Sequence, residues 1–136
     1  MKRLHVHVGV DDLDASVRFY SALFESEPVR QEADYARWLL DDPRVNFAVS
    51  LKASTSGVDH LGIQVDDERE LANVYERLER AEGPIADEGE THCCYARSTK
   101  RWTEDPAGIS WEAFVTHSEE ITRDAATIAP TGGCCA

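Results

Sequence analysis

No run of 18 apolar residues occurs in this chain, so it offers no helix to span a membrane. Basic residues are scarce: 14 Lys and Arg stand against 26 Asp and Glu, for a formal charge of -12. A field of that sign repels phosphate backbones, so nucleic acid is not an expected partner, and cations are weakly attracted. The opening Met-Lys-Arg-Leu-His-Val-His lacks the apolar stretch of a signal peptide, and the expected location is the cytoplasm. Cysteines spread along the chain are missing too. The four present form two adjacent pairs, Cys93-Cys94 and Cys134-Cys135. A secreted disulfide framework scatters its cysteines. These read instead as thiols for soft metals or metalloids, or for redox work.

What the chain does have is an internal echo. His5-Val-His-Val-Gly-Val-Asp-Asp returns as His60-Leu-Gly-Ile-Gln-Val-Asp-Asp. Each copy opens on a histidine, closes on two aspartates and runs into an amphipathic helical stretch. A repeat at fixed offset signals one structural module used twice. With 136 residues and 42% apolar content, two such halves can share one soluble domain.

Alternation gives the strands. Leu4, Val6, Val8 and Val10 share one face; His5, His7 and Gly9 share the other. Asp11 or Asp12 can cap a helix carried by Leu13, Val17, Tyr20 and Phe24, which Glu27-Pro28 should end. Residues 34–40 and 45–51 read as two more strands, and residues 52–57 as a linker. In the second half, His60, Gly62 and Gln64 oppose Leu61, Ile63 and Val65. A helix follows through Leu71, Val74, Tyr75 and Leu78, up to Gly83-Pro84. Residues 85–91 carry weak signals, residues 93–97 suggest a short strand, and Arg101-Trp102-Thr103 a strand or its edge. A final strand covers residues 109–115, with Ser110, Glu112 and Phe114 on one face. The predicted fold class is α+β: two βαβββ modules, 1–52 and 58–116, in a curved mixed sheet around a metal-binding cleft. Residues 117–136 read as an extension, with a short helix over 118–129 and a loose end.

His5, His60 and Glu112 all fall on the face opposite the aliphatic row. Two histidines and a carboxylate are the donors of the facial non-heme Fe(II) triad, and also suit Zn, Mn, Ni or Co. The other reading is three hydrogen-bonded polar groups in a cleft. His7 matches Gly62 in the repeat, which argues against a repeated ligand and for a supporting or structural role. His92 could serve a thiolate or a substrate; His117 reads as surface. Cys93 and Cys94 can hold one soft atom together only on a loop or sharp bend, since neighbours on a strand point to opposite faces. One buried and one exposed cysteine is the alternative. Tyr95, Lys100, Arg101 and Trp102 follow the pair, as substrate contacts or as ordinary packing and charge. Tyr35 and Trp38 are candidate pocket walls, and Phe47 and Phe114 candidate packing residues.

Several of these stretches resemble a known superfamily. His5-x-x-x-x-Val10-x-Asp12-Leu13-x-x-Ser16-x-x-Phe19-Tyr20, Asp59-His60-Leu-Gly-Ile-Gln-Val, and Asp105-Pro-x-Gly108-x-x-Trp111-Glu112-x-Phe114 resemble the vicinal oxygen chelate proteins, the glyoxalase and bleomycin-resistance fold. Tyr35-Ala36, Thr91-His-Cys-Cys-Tyr95 and Lys100-x-Trp102 resemble its carbon–arsenic lyase and cadmium-inducible branch. The likeness spans residues 3–116 and implies a single domain over 1–116. It implies cleavage of trivalent organoarsenicals such as methylarsenite with Fe(II) and dioxygen, and release of arsenite. His5, His60 and Glu112 would be the iron ligands. Cys93, Cys94, Tyr95 and Lys100 would bind substrate. Position 5 departs from the branch, where glutamine is frequent. Alternatives are a cadmium or arsenite sequestration protein without turnover, another dioxygenase, isomerase or thiol transferase of the fold, and a metal-free drug-binding protein.

Overall fold

The computed structural model describes residues 1–93 and 95–119. The first half runs β1 (Arg3–Gly9), α1 (Leu13–Phe24), β2 (Arg30–Gln31), β3 (Tyr35–Asp41) and β4 (Arg44–Ser50). The second runs β5 (Gly57–Val65), α2 (Glu68–Arg80), β6 (Ile85–Cys93), β7 (Ala96–Glu104) and β8 (Ser110–Glu119).

Matching chemistry starts the two helices. Asp12 accepts from the Ala15 amide at 3.0 Å, and Asp67 from the Glu70 amide at 2.8 Å. The end of α1 comes earlier than the proline suggested. Glu25 adopts left-handed φ 49, and its amide and that of Ser26 close back on Ala22 and Ser21, as in a helix-ending turn. Each helix covers its own half. Leu13, Val17, Tyr20 and Phe24 pack on Trp38, Leu40, Val45, Phe47 and Val49. Leu71, Val74, Tyr75 and Leu78 pack on Val65, Ala113 and Val115.

The strands make one mixed sheet in the order β2-β3-β4-β1-β5-β8-β7-β6. β1 and β5 pair antiparallel at its centre, while β4 and β8 flank them in parallel. This corrects the expected curved sheet around a cleft: the sheet is open, with β2 and β6 as its edges. The two halves lie side by side, and the outer strands do not pair to close it. With only two residues, β2 presents few backbone groups to any partner. β6 was the weak stretch because it is largely exposed and carries Asp87, Glu88 and Glu90. Those features suit an edge strand, where charge discourages further pairing.

β7 begins at Ala96, later than expected, after a turn in which Tyr95 holds φ 63. β8 continues through Glu119, so Ser118 and Glu119 are strand and not the start of a helix. The rest of the expected helix, Cys134 and Cys135 lie outside the described residues, as does Cys94. No helix among the described residues is long and apolar enough to cross a membrane.

Candidate metal centre

The sheet register assembles the site. His5 on β1 lies opposite Gly62 on β5, and Gly62 lies opposite Glu112 on β8. A row of three strands therefore reads histidine, glycine, carboxylate. A Cβ on Gly62 would stand 2.9 Å from Glu112 Cγ, 2.7 Å from its carbonyl oxygen and 3.4 Å from His5 Cβ. The missing side chain gives the two flanking groups room to lean together. His60, two residues before Gly62, enters from the same face and sits opposite His7.

The three donor atoms converge. His5 Nε2 and His60 Nε2 are 3.3 Å apart. Glu112 Oε1 lies 3.2 Å from the first and 3.5 Å from the second. With ligand bonds of about 2.1 Å, such spacings correspond to angles of roughly 100–110° at one ion, close to a tetrahedral face and somewhat wider than an octahedral one. His7 also belongs to the cluster, and the donor atoms of His5, His7 and His60 lie within 4.8 Å of one another. This is a His-rich site capable of coordinating a divalent metal ion.

The protonation states suit a cation. Burial pushes His5 down to about 4 and His7 down to about 3, so both imidazoles are neutral near pH 7. Burial opposes charge on Glu112, but the Lys100 ammonium and the His60 hydrogen bond outweigh it and hold the carboxyl well below its usual range. Burial likewise opposes a charged His60, yet the carboxylates of Glu112 and Asp59 raise it above 6.5. His60 must lose that proton to accept an ion, so metal affinity should rise with pH.

Each donor is held from behind. His5 Nδ1 donates to the Asn46 carbonyl at 3.1 Å, and His60 Nδ1 to Asp59 Oδ2 at 2.8 Å. Both bonds leave Nε2 as the donor nitrogen and fix the ring. Asp59 is itself gripped: Oδ1 accepts from Ser54 Oγ at 2.8 Å and from the Ser54 amide at 3.1 Å. Lys100 Nζ donates to Glu112 Oε2 at 3.0 Å, leaving Oε1 toward the histidines. Phe114 stands edge-on to His5 at 5.2 Å, and Trp102 edge-on to His60 at 4.9 Å.

His5, His60 and Glu112, placed by alternation on the face opposite the aliphatic row, are thus brought together, and all three are buried. Lys100, expected against substrate, rests on Glu112. Tyr95 donates its hydroxyl to Asp34 Oδ1 at 2.7 Å, with its ring 5.7 Å from that of Tyr35. Cys93 ends β6, next to that turn; its side chain and all of Cys94 lie outside the description. Tyr35 lines the donor cavity, whereas Trp38 is core. The two are three apart on one strand and so face opposite ways. Phe47 is core, but Phe114 lines the cavity. His117 is half-buried against Thr99 Oγ1, at 2.8 Å. Asp59 and Gly62 were given no role at the site from the sequence, although Asp59 adjoins His60 and Gly62 breaks an otherwise bulky strand.

The donors open onto a cavity of 40 Å³, lined also by Arg37, Ser98 and Thr116. A larger cavity, 450 Å³, shares the His60 wall and lies between Asp59, Ile85, Trp102 and Ser110.

Acid should unfold the metal-free protein early. Below 6.5 the unfolded chain protonates His5 and His7, and the folded chain resists until about 4 and 3. Their contribution is therefore present above 6.5 and lost as pH falls through that window. His60 has the opposite sign: its contribution is present below 6.5 and lost as pH rises through its raised folded value. Urea melts from pH 7 to 4 should show a falling midpoint; a flat midpoint contradicts this.

A two-module sheet with a histidine–carboxylate cluster at its central strands defines a class. The Glyoxalase/Bleomycin resistance protein/Dioxygenase superfamily model matches residues 2–113, and the chain belongs to that superfamily. More particularly, it is 41% identical over 140 residues to the "Trivalent organoarsenical cleaving enzyme" of Bacillus sp. (strain MD1), covering 99% of this chain and 83% of that enzyme. It is 32% identical over 123 residues to the "Cadmium-induced protein CadI" of Mycobacterium tuberculosis (strain ATCC 25618 / H37Rv), covering 90% of this chain and 81% of that one. The Mn(II)-bound glyoxalase from Novosphingobium aromaticivorans superposes with a TM-score of 0.59 at 21% identity, over 93% of this chain and 44% of that chain; this likeness concerns the fold alone.

Proposed function

We propose that this protein is a cytoplasmic enzyme that cleaves the carbon–arsenic bond of trivalent organoarsenicals such as methylarsenite, using Fe(II) and dioxygen, and releases arsenite. The observation that carries the proposal is the convergence of His5 Nε2, His60 Nε2 and Glu112 Oε1 within 3.2–3.5 Å. Near full-length similarity to an organoarsenical cleaving enzyme supports the substrate class.

In this reading His5, His60 and Glu112 hold Fe(II). Bound iron supplies dioxygen activation, which no side chain can. The chain's part is placement. Asp59 and the Asn46 carbonyl fix the two imidazoles, and Lys100 holds one carboxylate oxygen so that the other faces the ion. Cys93 and Cys94 capture trivalent arsenic as thiolates, because sulfur suits a soft metalloid. Tyr95, which follows them in sequence, is anchored on Asp34 and ties this part of the second half to the first. The walls of the buried cavity keep bulk water from the reacting centre.

The test is anaerobic Fe(II) loading, then air and methylarsenite, with arsenic speciation as the readout. The reading expects arsenite with matching dioxygen uptake; intact methylarsenite on an iron-loaded protein rejects it. Cys93→Ser and Cys94→Ser should keep iron and lose arsenic capture, and full turnover in either rejects the thiol role. The cadmium-induced relative favours a second reading, sequestration of cadmium or arsenite, which expects tight binding and no product.

A further inference from the structure

We propose that His7 is a fourth protein ligand of the metal centre, joining His5, His60 and Glu112. This rests on the reading that those three residues hold the ion. His7 is fully buried beside them, its ring stacked on His60 at 4.8 Å and edge-on to His5 at 6.2 Å. It lines the same small cavity.

The repeat explains why a nitrogen is wanted there. His5 matches His60, so His7 matches Gly62. Gly62 faces Glu112 across β5 and β8; His7 faces Ala48 across β1 and β4. The second half therefore reaches inward with a carboxylate over a glycine. The first half has only a methyl group at the carboxylate's place, and an imidazole at the glycine's. Both halves then present one further donor to the shared centre, Glu112 from one and His7 from the other.

Reach is close to sufficient. Two donors across an ion with bonds of about 2.1 Å stand at most about 4.2 Å apart. The histidine donors lie within 4.8 Å of one another, so a place trans to one of the other imidazoles needs a shift of about half an ångström along that line, and a cis place a larger one. The Ser50 hydroxyl, 2.9 Å from His7 Nε2, can donate or accept and so serves either tautomer. A fourth ligand leaves the ion one open position fewer than a facial triad.

The experiment is proton NMR of the Co(II)-loaded full chain. Each ligating imidazole carries one N–H proton, strongly shifted by the ion. Those of His5 and His60 are shielded by Asn46 and Asp59. Wild type should show three such resonances. His7→Phe, which keeps a ring, should show two, and should bind Co(II) more weakly by about tenfold or more. His7→Gln serves if the phenylalanine variant does not fold. Two resonances in wild type, or unchanged spectrum and affinity in the variants, overturn the assignment. Fewer than two in wild type overturn both this inference and the metal-centre reading beneath it.

Discussion

Glu112→Ala should abolish iron binding and turnover together, and should also weaken the metal-free fold. The first effect follows from geometry. Glu112 Oε1 is the anionic donor within 3.5 Å of both imidazoles, and removing it leaves neutral nitrogens to hold a dication. The second follows from Lys100, whose buried ammonium lies 3.0 Å from Glu112 Oε2. Breaking a buried ion pair by removing one partner costs about 3–5 kcal/mol. Lys100→Met in the same chain should recover much of that stability and none of the iron. Urea melts and iron content after desalting read the two effects separately. Iron retained by Glu112→Ala would remove the carboxylate from the donor set. A double variant no more stable than the single would remove the buried-pair explanation.

Among the described glycines, Gly9 is where an added methyl group should do the most damage, in Gly9→Ala. A Cβ there would stand 1.8 Å from the Thr55 carbonyl oxygen and 2.8 Å from Ala53 Cβ. Backbone cannot yield as a flexible side chain can, so residues 53–55 must move. Overpacking of this kind costs about 1–3 kcal/mol, occasionally more. It should also reach the metal. Ser54 and Thr55 hold Asp59 Oδ1, and Asp59 orients His60. The expected result is a lower urea midpoint together with weaker Co(II) binding. Asp59→Asn should weaken Co(II) binding by about 10–100-fold with a smaller loss of stability. Wild-type stability and affinity in Gly9→Ala would show that this loop does not govern the histidine.

Much of the site was legible because alternation and repetition are local properties. The spacing of His5, His7, His60 and Glu112 against Val6, Val8, Leu61 and Ala113 assigns each to a face without any knowledge of the sheet. What lay hidden depends on register. Gly62 matters because β8 brings Glu112 beside it, and Lys100 matters because β7 brings an ammonium to the carboxylate's second oxygen. Neither pairing is written in the strand that supplies it. The open shape of the sheet was hidden for the same reason: a period of two tells which side a residue faces, not whether the outermost strands meet. The acidic β6 was faint because an edge strand needs charge more than it needs apolar alternation.

The central claim is that His5, His60 and Glu112 grip one iron ion at the joint between the two halves. Anomalous diffraction at the iron edge, on crystals loaded with Fe(II) without air, tests it directly. The account predicts a single strong peak within about 2.0–2.2 Å of His5 Nε2, His60 Nε2 and Glu112 Oε1. Iron bound at any other residues, or no peak there after stoichiometric loading, would contradict it.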